Sequence, residues 1–196
     1  MTTQSSTTKS DLPPADLSVT VIIPAYEAIK TIGRALDSVA TQSVLPNEVI
    51  VIDDGSKDGT GKEAARVGRA IKGTNFKLLT QNQGGAGAAR NRGIREATSA
   101  IIAFLDADDY WKKNKLKKQI KFMKNNAIDF SYTAYEIIKS NKIKKHKVKT
   151  IYSYNDLLNK CDIGLSTVII NSKMLKFGNF PNLKTQEDYA LWLKYL

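Results

Sequence analysis

Asp106 and Asp108 are spaced as Asp-x-Asp, a pattern that lets one carboxylate hold a divalent metal while the other reaches a sugar hydroxyl or a water. Magnesium and manganese suit such a pair, because they accept a few carboxylate oxygens and fill their remaining positions with water and phosphate. Asp53 and Asp54 form a second acidic pair, and the stretch from Gly84 to Arg90 adds a glycine-rich turn that ends in a guanidinium. Carboxylates gathered at one edge repel one another unless they share something cationic or hydrogen-bond-donating. A divalent metal carrying a diphosphate meets that need, and a helix N-terminus followed by Arg90 can face the same diphosphate. The glycine stretch lacks the Gly-Lys-Ser/Thr of a phosphate-binding P-loop. It also puts Arg90 where a dinucleotide fingerprint wants Gly or Ala, and it follows the third strand rather than the first. Asp is common in turns and helix N-caps too, so either acidic cluster taken alone reads equally well as a turn.

The elements that must position these groups alternate strand and helix through the first hundred residues. Residues 18–24 (SVTVIIP) are a β-rich apolar run ended by Pro24, and helical spacing of Ile29, Ile32, Leu36 and Val39 predicts a helix over 28–42. Residues 48–52 (EVIVI) run as a second strand into Asp53-Asp54-Gly55-Ser56, and a helix is expected over 59–71 with Asp58 as N-cap. A third strand at 76–79, a helix around 88–98 and a fourth strand at 100–105 (AIIAFL) complete the series. Such a β-α-β-α-β-α-β order implies an α/β fold with a mostly parallel, Rossmann-like central sheet and helices on both faces. Ligands of such sheets sit beyond the carboxyl ends of the strands, where Pro24-Ala25-Tyr26, Asp53-Asp54 and Asp106-Ala107-Asp108 all fall. Beyond Trp111 the pattern predicts a Lys-coated helix at Leu116, Ile120 and Met123, and a strand over 130–138. A basic connector over 140–149, a short helix at 154–160, a strand over 165–170 and a final helix from Glu187 (EDYALWLKYL) follow.

The 196 residues are enough for one α/β domain with a sizeable core. Residues 1–17 are polar, lack an apolar h-region and read as a disordered leader, and no apolar run is long enough to span a bilayer. The single cysteine, Cys161, excludes an internal disulfide framework and fits a reducing, cytoplasmic compartment. Of the net charge of +11, residues 1–100 hold +2 and residues 101–196 hold +9, and all six arginines lie at or before Arg95. A lysine-rich face of this kind reads as solvated surface or as a surface for something acidic, such as an anionic membrane.

Taken together, VTVIIPAYE, EVIVIDDGSKDGT, NQGGAGAARNRGI, IIAFLDADDYW and QEDYALWL resemble glycosyltransferase family 2 in order and spacing, over about residues 18–196. The resemblance implies the GT-A fold and a metal-dependent, inverting transfer of a sugar from a nucleotide-sugar, with UDP the expected nucleotide. The acceptor it implies is a hydroxyl of a glycan or a lipid-linked acceptor, as in surface polysaccharide synthesis. By the same resemblance Pro24, Ala25 and Tyr26 cradle the base and ribose of the donor, and one of Asp53 and Asp54 hydrogen-bonds the base. Arg90 stands near the diphosphate, Asp106 at the ribose or sugar, Asp108 on Mn2+ or Mg2+, and Asp188 is the catalytic base, with Glu187 beside it orienting acceptor or base. Residues 18–110 are then the nucleotide-sugar-binding half and 111–196 the acceptor-side half of one domain. That second half reads as truncated, because members of the family continue well past this point and the Gln-x-x-Arg-Trp signature of processive members has no room after Asp188. Glu27 departs from the Asn that the family shows there.

Other classes fit less well. A nucleic-acid-binding domain would interleave aromatics with its lysines, and these lysines do not, so no nucleic-acid partner is expected. A glycosidase has two carboxylates but no use for a nucleotide loop on the same sheet edge. The strongest rival is a donor-binding module without turnover. Peripheral contact of residues 112–149 with the inner face of an anionic membrane is the expected use of the basic region. His146 among its lysines reads as solvated and Cys161 as a small, partly buried side chain. Leu191, Trp192, Leu193 and Tyr195 read as core, and Trp111 as either packing or a site wall.

Overall fold

The computed structural model describes residues 18–140 and 142–195. The leader expected over 1–17 lies outside them. A six-stranded sheet forms the centre, built from β1 (Val19–Ala25), β2 (Glu48–Asp53), β3 (Asn75–Thr80), β4 (Ile101–Phe104), β5 (Phe130–Ser131) and β8 (Ile169–Asn171), in the spatial order β3-β2-β1-β4-β8-β5. The first four are mutually parallel, and β8 runs antiparallel to both β4 and β5. A separate antiparallel ribbon is made by β6 (Tyr135–Lys139) and β7 (Lys142–His146).

Strand β1 is buried along its whole length, as its unbroken run of apolar and β-branched residues requires of a central parallel strand. Alternation sends Val19, Val21 and Ile23 into one core layer and Ile22 into the other. The first layer is closed by α1 (Ile32–Ala40), α2 (Thr60–Gly68) and α4 (Lys115–Asn126), through Leu36, Ala64, Leu116 and Ile120. The second is closed by α3 (Ala86–Glu96), α5 (Tyr154–Asn159) and α6 (Glu187–Tyr195), through Ala89, Leu157, Leu191 and Trp192. Full burial of one such Leu or Ile contributes about 1.5–3 kcal/mol. On Gly93 of α3 a Cβ would stand 2.6 Å from Ile22 Cγ2, so this helix lies on the sheet at a distance only glycine permits.

Register decides what reaches the site. Ala25 is paired with Asp53 across β1 and β2, and Ile22 with Phe104 across β1 and β4. The residues that follow each strand therefore emerge side by side at one edge.

The structure differs from the sequence expectations in several places. The run 130–138 is two strands in two sheets, because β5 pairs with β8 while β6 turns away to pair with β7. The expected connector over 140–149 contains strand β7, which owes its form to this pairing rather than to β propensity in KIKKH. In the expected strand over 165–170, Leu165–Thr167 is a 3-10 turn, closed by the Thr167 hydroxyl donating to the Gly164 carbonyl at 2.6 Å. Helix α1 begins at Ile32, four residues later than expected. Gly59, not Asp58, is the N-cap of α2. Asp58 accepts instead from Thr60 N–H and hydroxyl (2.9 and 2.6 Å) and from Ile29 N–H at 3.1 Å, which ties the β1 and β2 loops together.

Candidate active site

A cleft of about 750 Å³ opens at the carboxyl edge of the sheet, and Pro24, Ala25, Tyr26, Asp54, Arg90, Asp106 and Asp108 all line it. Seven of the nine residues singled out from sequence thus share one wall. Asp53 lies buried beneath it, with one carboxylate oxygen accepting from Ser56 N–H at 3.0 Å. Asp188 lines a neighbouring hollow of about 500 Å³, together with Tyr135, Asp162 and Gln186.

Asp54 is fully engaged by the protein. It accepts from Gln81 Nε2 (2.7 Å) and from the backbone N–H groups of Gly84 (2.8 Å) and Gly85 (2.7 Å). The glycine-rich turn is thereby pinned to the end of β2. Gly85 holds φ +87°, a left-handed value that favours glycine, at the entrance to α3. That helix then presents Arg90 to the cleft.

Arg90 is buried and joins the Asp-x-Asp segment to Glu187. Its guanidinium donates to Asp106 Oδ1 at 2.7 Å and to Glu187 Oε1 at 2.5 Å, and it lies 5.3 Å from the centre of the Phe180 ring. Burial works against its charge, but Asp106 and Glu187 outweigh burial and raise its pKa. Burial likewise pushes the Asp106 carboxyl up; Arg90 opposes this, and Asp109 and Asp108 add to it. The Arg90 Nε has no hydrogen-bond partner among the described residues.

Two residues that sequence reasoning missed, Ser166 and Arg34, shape the Asp-x-Asp segment. Ser166 accepts from Asp106 N–H (3.0 Å) and donates to Asp109 Oδ2 at 2.6 Å. Arg34 donates to the Asp108 carbonyl at 2.6 Å and lies over the Tyr110 ring. Glu187, expected to orient acceptor or base, is the buried partner of Arg90. Neither Ser166 nor Arg34 sits in a motif, and only the fold brings them within reach. Trp111 is packing rather than a wall of the cleft: its Nε1 donates to the Ser166 carbonyl at 2.7 Å and its ring is buried.

Asp108 is left without a side-chain hydrogen bond or ion pair among the described residues. No group of three or more carboxylate, imidazole or thiol side chains able to hold a metal occurs among them either. One unengaged carboxylate at the mouth of a polar cleft fits a hard cation that takes most of its ligands from substrate phosphate and water. It does not fit a cage made by the protein alone.

Glu27 occupies the left-handed region, with φ 47°, where Asn is more at ease than Glu. Its carboxylate accepts from Lys57 N–H at 2.6 Å, and its own N–H donates to Ser56 Oγ at 3.0 Å. The residue that departs from the family pattern thus has a structural use in this chain.

Two expectations outside the cleft need correction. His146 is half-buried rather than solvated, stacked on Tyr135 at 4.6 Å with its Nε2 3.1 Å from Asp162 Oδ1. Cys161 is exposed rather than partly buried. Leu191 and Trp192 are core, as expected.

The profile of Glycosyl transferase family 2 matches residues 20–183, which takes in the cleft and both acidic motifs that line it. The chain belongs to glycosyl transferase family 2. Its fold is GT-A, and the family is one of enzymes. It is 39% identical over 183 residues to the Escherichia coli UDP-Glc:alpha-D-GlcNAc-diphosphoundecaprenol beta-1,3-glucosyltransferase WfgD, covering 92% of this chain and 70% of that one. Against the Bacillus subtilis putative teichuronic acid biosynthesis glycosyltransferase TuaG the identity is 35%, over 91% of this chain and 71% of that one. The crystal structure of S. aureus TarS 1-349 in complex with UDP-GlcNAc superposes with a TM-score of 0.74 at 27% identity, covering 91% of this chain and 53% of that one. The family 2 chain described here therefore spans about half of the crystallised relative.

Proposed function

We infer that this chain transfers a sugar from a UDP-sugar to a hydroxyl of a glycan or lipid-linked acceptor in surface polysaccharide synthesis, with inversion at the anomeric carbon. The observation that carries the reading is the arrangement around Arg90. One guanidinium joins the Asp-x-Asp segment of the donor cleft to Glu187, the immediate neighbour of Asp188 in the second hollow. The relatives support the donor and acceptor classes, since one is named for UDP-Glc and a diphosphoundecaprenol-linked sugar and another was crystallised with UDP-GlcNAc.

In this reading residues 18–110 hold the donor and the remainder the acceptor. Pro24, Ala25 and Tyr26 flank the base and ribose, and one of Asp53 and Asp54 hydrogen-bonds the base while both fix the loop edges around it. Asp106 and Arg90 meet the ribose or sugar and the diphosphate. Mn2+ or Mg2+ bound by Asp108 and donor phosphate oxygens would supply further stabilisation of charge on the leaving diphosphate. Asp188 takes the proton of the acceptor hydroxyl as its oxygen bonds to the anomeric carbon, and the electron pair of the breaking C–O bond leaves on UDP. One oxygen of Asp188 accepts from Tyr189 N–H at 2.8 Å, which leaves the other for this work.

A thermal-shift panel of UDP, GDP, dTDP and CMP, each with manganese or with EDTA, tests the donor side. Saturation at ~100 times Kd should add about 2.7 kcal/mol of stability for UDP with metal. Asp108→Asn should remove the metal dependence far more than Asp109→Asn does. Equal UDP affinity in EDTA and manganese would overturn the metal role. UDP release from UDP-glucose in the presence of a GlcNAc-diphospho-lipid acceptor tests transfer, and binding without release would favour a donor-binding module instead.

A further inference from the structure

The β6–β7 ribbon carries apolar and cationic side chains that nothing in the fold covers. Ile137, Ile138 and Ile143 are 39%, 47% and 63% exposed. Lys139, Lys142, Lys144 and Lys145 stand exposed among them, and the one acid of the ribbon, Glu136, is held by Lys112 at 2.8 Å. Directly opposed residues share a face. The register therefore puts Ile138 and Ile143 with Glu136 and Lys145 on one side, and Ile137 with Lys139, Lys142 and Lys144 on the other. Lysines and isoleucines are mixed on both faces, so neither face has a dry side that packs on the body.

The root of the ribbon is anchored. Tyr135 stacks on His146, whose Nε2 lies 3.1 Å from Asp162, and Tyr135 carbons pass 3.6 and 3.8 Å from where a Cβ on Gly164 would stand. Tyr135 also lines the hollow that holds Asp188. An isolated two-stranded ribbon is marginally stable on its own, and here, among the described residues, its ties to the body are at Tyr135, Glu136 and His146, while Ile137, Ile138, Lys139 and Lys142 to Lys145 stand exposed.

We propose that the β6–β7 ribbon docks this protein on an anionic lipid bilayer, with the lysines on the headgroups and the isoleucines in the headgroup–acyl boundary. The chemistry discriminates among anionic partners. A surface for single-stranded nucleic acid stacks bases on aromatic rings, and the exposed part of this ribbon offers none. Branched aliphatic side chains gain nothing from phosphate but do gain from the boundary of a hydrocarbon layer. Such docking turns the Asp188 hollow toward the layer that would carry a lipid-linked acceptor, and in that purpose alone it rests on the function inferred above.

Co-sedimentation of the full chain with vesicles tests this. Vesicles containing phosphatidylglycerol should bind it, phosphatidylcholine vesicles should bind it weakly, and high salt should release it. Each lysine near an anionic surface adds about fivefold to binding, so Lys142→Gln with Lys144→Gln should lower partitioning by at least about tenfold. Ile138→Ser with Ile143→Ser should lower it by about tenfold at unchanged charge. Both pairs should keep the UDP-plus-manganese thermal shift, which shows that they fold. Equal binding to neutral and anionic vesicles overturns the proposal. So does an Ile pair that partitions like the parent chain while an RNA oligomer binds the ribbon tightly. Absent vesicle binding with intact UDP binding would defeat the docking alone, whereas absent UDP binding with intact vesicle binding would defeat the inferred function and leave the docking standing.

Discussion

The donor cleft and the Asp188 hollow are built in opposite ways. At the cleft, parallel strands end in register, and the carboxylates they deliver are mostly occupied: Asp53 by Ser56, Asp54 by three donors, Asp106 by Arg90. Among the described residues, Asp108 is the one left open there. The hollow is assembled from a six-residue helix, a turn, the root of the β6–β7 ribbon and the first turn of α6, and several of its side chains are exposed. Charge is divided along the chain as well, with +2 over residues 1–100 and +9 over residues 101–196. A site that holds one nucleotide in one pose gains from pre-set groups. A surface that receives a larger, surface-bound acceptor is served by open, cationic elements. Arg90 is the joint between the two.

The sharpest test of this division is Asp188→Asn. If the hollow does chemistry and the cleft does binding, transfer should fall by ~10² to 10⁴-fold while UDP affinity with manganese stays within about twofold. A matched loss of both, by steady-state kinetics and calorimetry, would break the separation. Arg90→Met should come next. It leaves two carboxylates without their shared cation, and breaking a buried pair in this way costs about 3–5 kcal/mol. The urea midpoint reads that loss, and adding Glu187→Gln to Arg90→Met should recover part of it. Independent effects of the two changes would mean that Arg90 does not join the regions.

Sequence foretold the cleft far better than the hollow. Strands β1, β2 and β4 are apolar runs that stop at Pro or Asp, so their parallel pairing and the clustering of their ends follow from local pattern. Asp54 and Arg90 were legible because each sits beside a turn that the backbone must make. Ser166 was not, because it reaches Asp106 and Asp109 only after β8 folds back antiparallel to β4. Strand β7 was hidden because lysine has weak strand preference and the pairing with β6 creates the strand. His146 was misread for the same reason: the ribbon, not its neighbours in sequence, lays it on Tyr135.

Within the cleft, Asp54→Ala isolates the pinning of the glycine-rich turn. Three donors lose their acceptor, and because solvent can reach part of this loop the expected cost is about 1–3 kcal/mol. UDP affinity should fall with it, since Gly85 starts the helix that carries Arg90. Hydrogen exchange at the Gly84 and Gly85 amides should rise. Unchanged exchange there would show that the turn holds its shape without β2.

The smallest expected effect is at Glu27, where strain and a hydrogen bond oppose each other. The left-handed backbone costs an L-residue roughly 1–2 kcal/mol, less for Asn, whose short amide can bond locally. The bond accepted from Lys57 N–H is exposed to solvent and returns about 0.5–1.5 kcal/mol. Glu27→Asn relieves the strain and loses the bond, so stability should move by no more than about 1 kcal/mol. Glu27→Ala keeps the strain and loses the bond, and should be the less stable of the two by about 1 kcal/mol. Urea midpoints of the two variants measure that gap directly. Were Glu27→Ala to match the parent chain, the bond to Lys57 would contribute nothing, and the loop after β1 would owe its shape to Ser56, Asp58 and Thr60, which accept from Glu27, Ile29 and Ala28 N–H.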